Sequence, residues 1–259
     1  MSSQTGHLID GRYRVLKHLG AGSYGNSYQV LDNENNVTKV LKALRIHKRI
    51  TTSGRKGFEK EIKFLTQIKH PGFPAFFESG SYKKIPYFTM EYIEGKNFEQ
   101  LIFEDEKKYT EHEVFKIVRE LLKLIEYLHD NQIIHRDIRI PNVIYDGVNV
   151  RMIDFGLAIK KKNSYEMKIH SKVKKQADVS SDFYGLGHFI LFLLYSNWST
   201  ESVVEEKSWE EELDISMHGK QTIRKLLQMD TPYKSCGQIQ RDIEKILVEK
   251  GRNCNVIFK

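Results

Sequence analysis

His135-Arg136-Asp137-Ile138-Arg139-Ile140-Pro141-Asn142 is followed, twelve residues after its asparagine, by Asp154-Phe155-Gly156. A carboxylate, an amide and a second carboxylate therefore recur within one short span, broken by a proline and closed by a glycine. Around this stretch lies a chain of 259 residues, long enough to bury one large domain or two lobes. Its 40% hydrophobic and 29% charged content is that of a soluble globular protein. Two cysteines, Cys236 and Cys254, are too few for a disulfide framework and lack metal-ligand spacing, which fits a reducing, cytoplasmic setting. The first residues show no basic-then-apolar signal pattern. The longest apolar run, Phe189 to Tyr195, falls far short of the roughly 20 residues that span a bilayer. We expect no transmembrane segment, and peripheral membrane contact stays open.

Upstream, short runs alternate apolar and polar positions. Tyr13 to Leu19 and Ser27 to Leu31 read as strands flanking a glycine turn, Asp32 to Asn36 as a turn, and Val37 to Leu44 as a third strand. A helix is expected from Gly57 to Lys69, with Phe58, Ile62, Leu65 and Ile68 on one face. Further strands are expected within Lys83 to Ile93, and Gly95 marks a boundary. Downstream, the pattern turns helical. Thr110-Glu111-His112-Glu113 matches a capping box ahead of a helix carrying Phe115, Val118, Leu121, Leu122, Ile125 and Leu128. Asp182 to Tyr195 is apolar on nearly all sides and reads as a buried helix. Ile223 to Met229 and Ile239 to Val248 suggest two more. There is no internal repeat.

Gly20-Ala21-Gly22-Ser23-Tyr24-Gly25 is a G-x-G-x-x-G run that admits phosphate oxygens to backbone amides. A strand-like segment follows it, whereas a dinucleotide-binding turn opens a helix. Lys42 comes 17 residues after Gly25, in Lys39-Val40-Leu41-Lys42, and Glu61 lies in a helical stretch ending at His70-Pro71. These four motifs, in this order and with these gaps, resemble the core of eukaryotic-type (Hanks-type) serine/threonine protein kinases, in a compact, bacterial-like form. The resemblance implies an α+β, bilobal fold: a β-rich N-lobe with one main helix over 1–91, and a mainly helical C-lobe over 92–259. Together they would form a single kinase domain of 1–259.

By the same resemblance, Asp137 is the catalytic base, Asn142 and Asp154 hold Mg2+, and Lys42, fixed by Glu61, neutralises phosphate charge. Arg139 stands where serine/threonine kinases usually have lysine and would reach the γ-phosphate with a planar fork. The ATP site would comprise Leu19, Gly20, Ala21, Gly22, Ser23, Tyr24, Gly25, Asn26, Ser27, Val40, Lys42, Met90, Glu91, Ile93 and Ile144. Met90 would limit the rear of the pocket, and the backbones of Glu91 and Ile93 would bond adenine. Ser27 replaces the family's usual valine and Val40 its usual alanine. Losing one branched apolar contact costs about 1 kcal/mol of base binding, so weak to ordinary ATP affinity is expected.

The family pattern breaks after Gly156. Only 28 residues separate Asp154 from Asp182, which opens the helix and would brace the catalytic loop. No Ala-Pro-Glu precedes Asp182, and Lys234 stands where that glutamate's arginine partner would be. Joint change suggests a rebuilt peptide-docking floor. The net charge is +7, and seven lysines lie between Lys160 and Lys175 against Glu166 alone. Such a segment suits an acidic partner, and Asn97 and Pro141 stand where kinases of basic peptides often carry acids. Acidic or already phosphorylated protein substrates are therefore expected, with autophosphorylation at Ser164, Tyr165 or Ser171 facing Arg136. Two readings compete: a small-molecule, lipid or sugar kinase, favoured by the short segment, and a pseudokinase scaffold, disfavoured by the complete polar set. Nucleic acid is not expected, since the lysines lack interleaved aromatics apart from Tyr165.

Overall fold

A computed structural model describes residues 5–161, 178–198 and 207–254, with side chains through residue 248. The chain divides into two units, Met1–Gly95 with Arg151–Ala158, and Lys96–Val150 with Ile159–Lys259.

The first unit is built on β1 (Leu8–Ile9), β2 (Tyr13–Ala21), β3 (Gly25–Asp32) and β4 (Val37–Leu44), then α1 (Ile46–Arg49), α2 (Thr52–Gln67), β5 (Phe76–Tyr82) and β6 (Ile85–Glu91). The six strands form an antiparallel sheet in the order β1-β2-β3-β4-β6-β5. The turn expected at Asp32–Asn36 closes on a bond from Asn36 N to Asp32 O of 2.8 Å. Lys83 and Lys84 are not strand. Both take positive φ, 51° and 61°, in a two-residue hairpin whose twist matches the strands it joins. One sheet face buries Ile9, Tyr13, Val15, Tyr28, Val30, Leu41, Ala43, Ile85 and Tyr87. The other receives α2, where Phe58 meets Phe88 with ring centroids 5.2 Å apart. Residues 39–44 of β4 are thus buried on both sides, with Val40, Leu41, Ala43 and Leu44 in apolar surroundings and Lys39 and Lys42 buried against carboxylates.

α2 begins five residues before the sequence pattern suggests. Thr51 caps it, its side chain accepting from Gly54 N at 3.1 Å. The first turn carries no apolar residue pointing inward, so hydrophobic spacing alone misses it.

The second unit contains β7 (Lys96–Asn97), α3 (Phe98–Phe103), α4 (Glu111–Asp130), β8 (Ile133–Ile134), a 3-10 turn at Ile140–Asn142 and β9 (Val143–Tyr145). The chain crosses to the first unit within β10 (Val150–Met152) and returns at β11 (Ile159–Lys160), which pairs with β8. α5 (Ser180–Tyr195), α6 (Trp209–Glu212), α7 (Met217–Leu226) and α8 (Cys236–Cys254) follow. Thr110 and Glu113 form the expected capping box on α4. α4 packs against α5 and α8, and Leu186, Phe189, Ile190 and Leu193 of α5 are fully buried. Glu111 is buried and accepts from Ser216 N and Oγ, at 3.0 and 2.6 Å, tying the start of α4 to the cap of α7. α7 stops before Met229 because Gln228 turns left-handed at φ 61°.

Candidate active site

Along β4 the side chains alternate. Val40 and Lys42 face α2, whereas Leu41 and Ala43 join the opposite core. Register sets Val40 opposite Met90 and Lys42 between Ser27 and Phe88. On α2, Phe58, Glu61 and Leu65 share the buried stripe, so Glu61 is carried inward by the apolar neighbours three and four residues away.

Lys42 Nζ lies 2.5 Å from Glu61 Oε1 and 2.9 Å from Asp154 Oδ1. Lys42 and Glu61 are each 1% exposed. Two buried charges are tolerated there because each faces an opposite charge at hydrogen-bond distance. Burial alone pulls the Lys42 ammonium's pKa down, but the charges of Glu61 and Asp154 outweigh it and hold the lysine protonated. Burial, reinforced by the Asp154 charge, pushes the Glu61 carboxyl up to about 7 against the pull of Lys42. Asp154 adopts φ 66°, and its Oδ1 also accepts from Gly156 N at 2.9 Å.

The glycine turn lies on this cluster. A Cβ at Gly22 would stand 3.0 Å from Asp154 Oδ2 and 3.4 Å from Lys42 Nζ, and one at Gly25 would stand 2.9 Å from Lys42 Cγ. Only residues without side chains let the backbone come this close. Tyr24, at the turn's far end, packs its ring on Gly57 of α2, where any Cβ would collide with it. Leu19 and the glycine-turn residues, with Ser27, Val40 and Met90, fall in this unit with Lys42. Asn26 does not share their face: it pairs with Ala43, and its Oδ1 accepts from Arg45 Nε at 3.4 Å.

Glu91 ends β6 and is held by Arg151 through two bonds of 2.7 and 2.8 Å, and Arg151 also donates to Phe73 O at 3.3 Å. Burial opposes ionisation of Glu91, yet Arg151 and the Ala75 amide keep its carboxyl below the ordinary value. Ile93, just beyond β6, is buried. Arg151 escaped the sequence reading because nothing local marks a cation as the partner of a carboxylate 60 residues away.

In the second unit, Asn142 Nδ2 donates to Asp137 Oδ2 at 2.8 Å and to Asp137 O at 3.0 Å. Both amide protons are thereby spent on Asp137, and the Asn142 Oδ1 is left as an acceptor for a cation. Asp182 is fully buried and accepts from His135 N at 2.9 Å and Arg136 N at 2.6 Å. Arg136 takes φ 66°, a strained conformation that these two bonds hold. His129 Nε2 lies 2.8 Å from the same carboxylate. His129 was not foreseen, since a single histidine at a helix end carries no signal by itself. Arg136 and Arg139 are exposed, and Ile144 of β9 pairs with Asn97 of β7. Ser164, Tyr165, Ser171 and the lysines from Lys162 to Lys175 lie outside the described residues.

Among the described residues no three His, Cys, Asp or Glu side chains gather to hold a metal ion. Taken singly, the Asp154 carboxylate of the first unit and the Asn142 Oδ1 of the second are each the kind of oxygen that Mg2+ accepts, since it takes one or two protein oxygens and completes its shell with water and phosphate. No helix among the described residues is long and apolar enough to cross a membrane.

A kinase is the class that this glycine turn, buried Lys–Glu pair and braced Asp–Asn loop define. The protein kinase domain model matches residues 13–248, and the chain belongs to that family, in its bacterial-like serine/threonine group. It is 34% identical over 244 residues to the probable serine/threonine-protein kinase YbdM of Bacillus subtilis, covering 94% of this chain and 93% of that protein. It is 29% identical to the serine/threonine-protein kinase PrkC of the same organism, over 73% of this chain and 31% of PrkC. The crystal structure of the Mycobacterium tuberculosis PknI kinase domain shares the fold at a TM-score of 0.69 and 19% identity, covering 95% of this chain and 99% of that one. The family uses ATP and Mg2+ and acts on protein substrates.

Proposed function

We propose that this chain, as one kinase domain over 1–259, transfers the γ-phosphoryl group of Mg-bound ATP to serine or threonine hydroxyls on acidic or already phosphorylated proteins. The observation that carries the reading is the Lys42–Glu61–Asp154 cluster beneath a glycine turn whose backbone approaches it too closely for a side chain. Backbone amides of Gly20 to Gly25 and the Lys42 ammonium bind phosphate oxygens. Leu19, Ser27, Val40, Met90 and Ile144 enclose the base, with the backbones of Glu91 and Ile93 bonded to it. By the family resemblance, Asp154 and Asn142 would hold Mg2+, which would supply charge neutralisation across the phosphates. Asp137 takes the proton of the acceptor hydroxyl as its oxygen bonds to the γ-phosphorus. The bond from that phosphorus to the β–γ bridging oxygen breaks, and ADP leaves. Arg139 offsets charge on the γ-phosphoryl oxygens.

The acidic-acceptor reading draws on the lysines after Lys160 and on the absence of acids at Asn97 and Pro141. Asn97 is already engaged, its side chain capping α3 by accepting from Gln100 N at 2.8 Å.

The test is radiolabelled ATP with magnesium, offered to wild type and Asp137→Ala with the protein itself, an acidic protein, a basic protein and small-molecule extracts. Label on acidic protein, lost in the variant, is the expected result. Label only on a small molecule, or nucleotide binding without turnover, overturns it. Mass spectrometry of the same reaction should place autophosphorylation within residues 160–180.

A further inference from the structure

The face of the first-unit sheet opposite Lys42 carries a groove of about 380 Å³. Its floor is apolar, from Tyr28, Ala43 and Ile85, and its wall is the helix α1, with Ile46 59% exposed. Arg45 and His47 stand at its edge. The register that turns Val40 and Lys42 toward α2 turns Ala43 and Tyr28 the other way, so this groove is distinct from the phosphate cluster.

The surroundings are one-signed. No Asp or Glu occurs from Arg45 to Phe58, whereas Arg45, Lys48, Arg49, Arg55 and Lys56 do. None of these five cations has a carboxylate partner among the described residues; Arg45 donates to Asn26, and Arg49 and Arg55 donate to backbone carbonyls. The Arg49 bond, to Lys84 O at 3.1 Å, brings the exposed Lys83–Lys84 turn against the same rim, next to Ile85 of the floor. By contrast, Arg12 and Lys39 of the same unit both pair with Asp32, and Lys42 pairs with Glu61. These like charges repel one another beside exposed Ile46 and Ile50, the latter 78% exposed, and an anionic, partly apolar partner would relieve the repulsion and cover the isoleucines.

We propose that this groove and its rim dock an acidic protein segment that inserts one large apolar side chain over Tyr28 and Ile85 while its carboxylates face Arg45, Lys48, Arg49 and Lys84. The basic surface extends well past the groove, from α1 to the β5–β6 turn, so its complement is a chain and not a small molecule. A membrane is a poorer match, because α1 has four residues and two isoleucines lie on or beside it, less than the amphipathic face that interfacial helices bury. Nucleic acid is poorer still, for want of exposed aromatic rings among the cations. The proposal deepens the acidic-acceptor reading by giving the substrate a second point of attachment, and rests on that reading only for its use, because the binding itself needs no ATP.

The experiment is fluorescence anisotropy on the full chain without nucleotide, using a labelled peptide of Glu and Asp around a single Phe. Lys48→Glu with Arg49→Glu should weaken binding at least about tenfold, and Lys83→Glu with Lys84→Glu should also weaken it. Lys108→Glu with Lys116→Glu, an equal charge change on exposed positions of the second unit, should alter it less than about twofold. Replacing the peptide's Phe by Gln should weaken it about fivefold. Asp137→Ala should bind as wild type does, which separates docking from transfer. Thermal melts like that of wild type show that the rim variants remain folded. Equal losses in all three double variants would reduce the effect to net charge and overturn the proposal. So would absence of peptide binding, or displacement of the peptide by phosphatidylglycerol vesicles or single-stranded DNA. If docking holds but acidic proteins are not phosphorylated, the acceptor reading fails and the docking site stands.

Discussion

Glu61 shows how a residue's chemistry is set by its neighbours. Burial and the Asp154 charge raise its carboxyl from 4.5 to about 7. A folded-state pKa above the unfolded one means that the fold favours the protonated group. Its contribution to stability is complete below about pH 4.5 and is lost as pH rises through about 7. Urea midpoints of wild type relative to Glu61→Gln should therefore fall between about pH 5 and 8, and a flat difference would count against this environment. Asn142 acts differently. Its Nδ2 donates twice to Asp137, which fixes that carboxylate, and in the proposed mechanism Asp137 takes the proton while the Asn142 Oδ1 faces the metal. Asn142→Ala should lower kcat by about 10²-fold or more while the KM for protein acceptor changes little. Steady-state kinetics with a protein acceptor reads both constants.

At the scale of elements, β3 and β4 are joined by more than their ladder. Asp32 is fully buried and bonded by Arg12 and Lys39, each at 2.7 Å. Asp32→Asn would leave the buried Lys39 ammonium without its counter-charge, at a cost of about 3 kcal/mol in denaturant unfolding. Bonding by Arg12, against the penalty of burial, holds the Asp32 carboxyl well below its usual 3.8. Its folded-state pKa is depressed, so its contribution is present above about pH 3.8 and is lost as pH falls through the lower folded value. Wild type should approach the Asn variant only under acid. The motifs on these elements were readable beforehand: the capping box at Thr110 and the glycine turn use contiguous residues. The start of α2 at Thr52, the hairpin at Lys83–Lys84 and the end of α7 were not, because caps and left-handed turns override apolar spacing there.

For the whole molecule, the proposed phosphate site at Lys42 makes stability depend on ligand. ATP with Mg2+ at about 100 times its Kd should stabilise the chain by about 2.7 kcal/mol. Lys42→Met should abolish the thermal shift, and a shift that survives would place nucleotide away from this cluster. The net charge of +7 adds a second dependence. KM for an acidic acceptor should rise steeply with salt, as a screened long-range attraction does.

The identity of the polar set was written in order along the chain. Lys42, Glu61, Asp137, Asn142 and Asp154 are each marked by immediate neighbours, because turn and strand chemistry is local. Which groups hold them was not written there. Arg151 on Glu91, His129 on Asp182 and Tyr24 on Gly57 each join residues far apart in the chain. Asn26 belongs to a face away from Lys42 only because strand pleat and register put it there. Pairings of that kind depend on which surfaces exclude water together, and only the folded chain decides that.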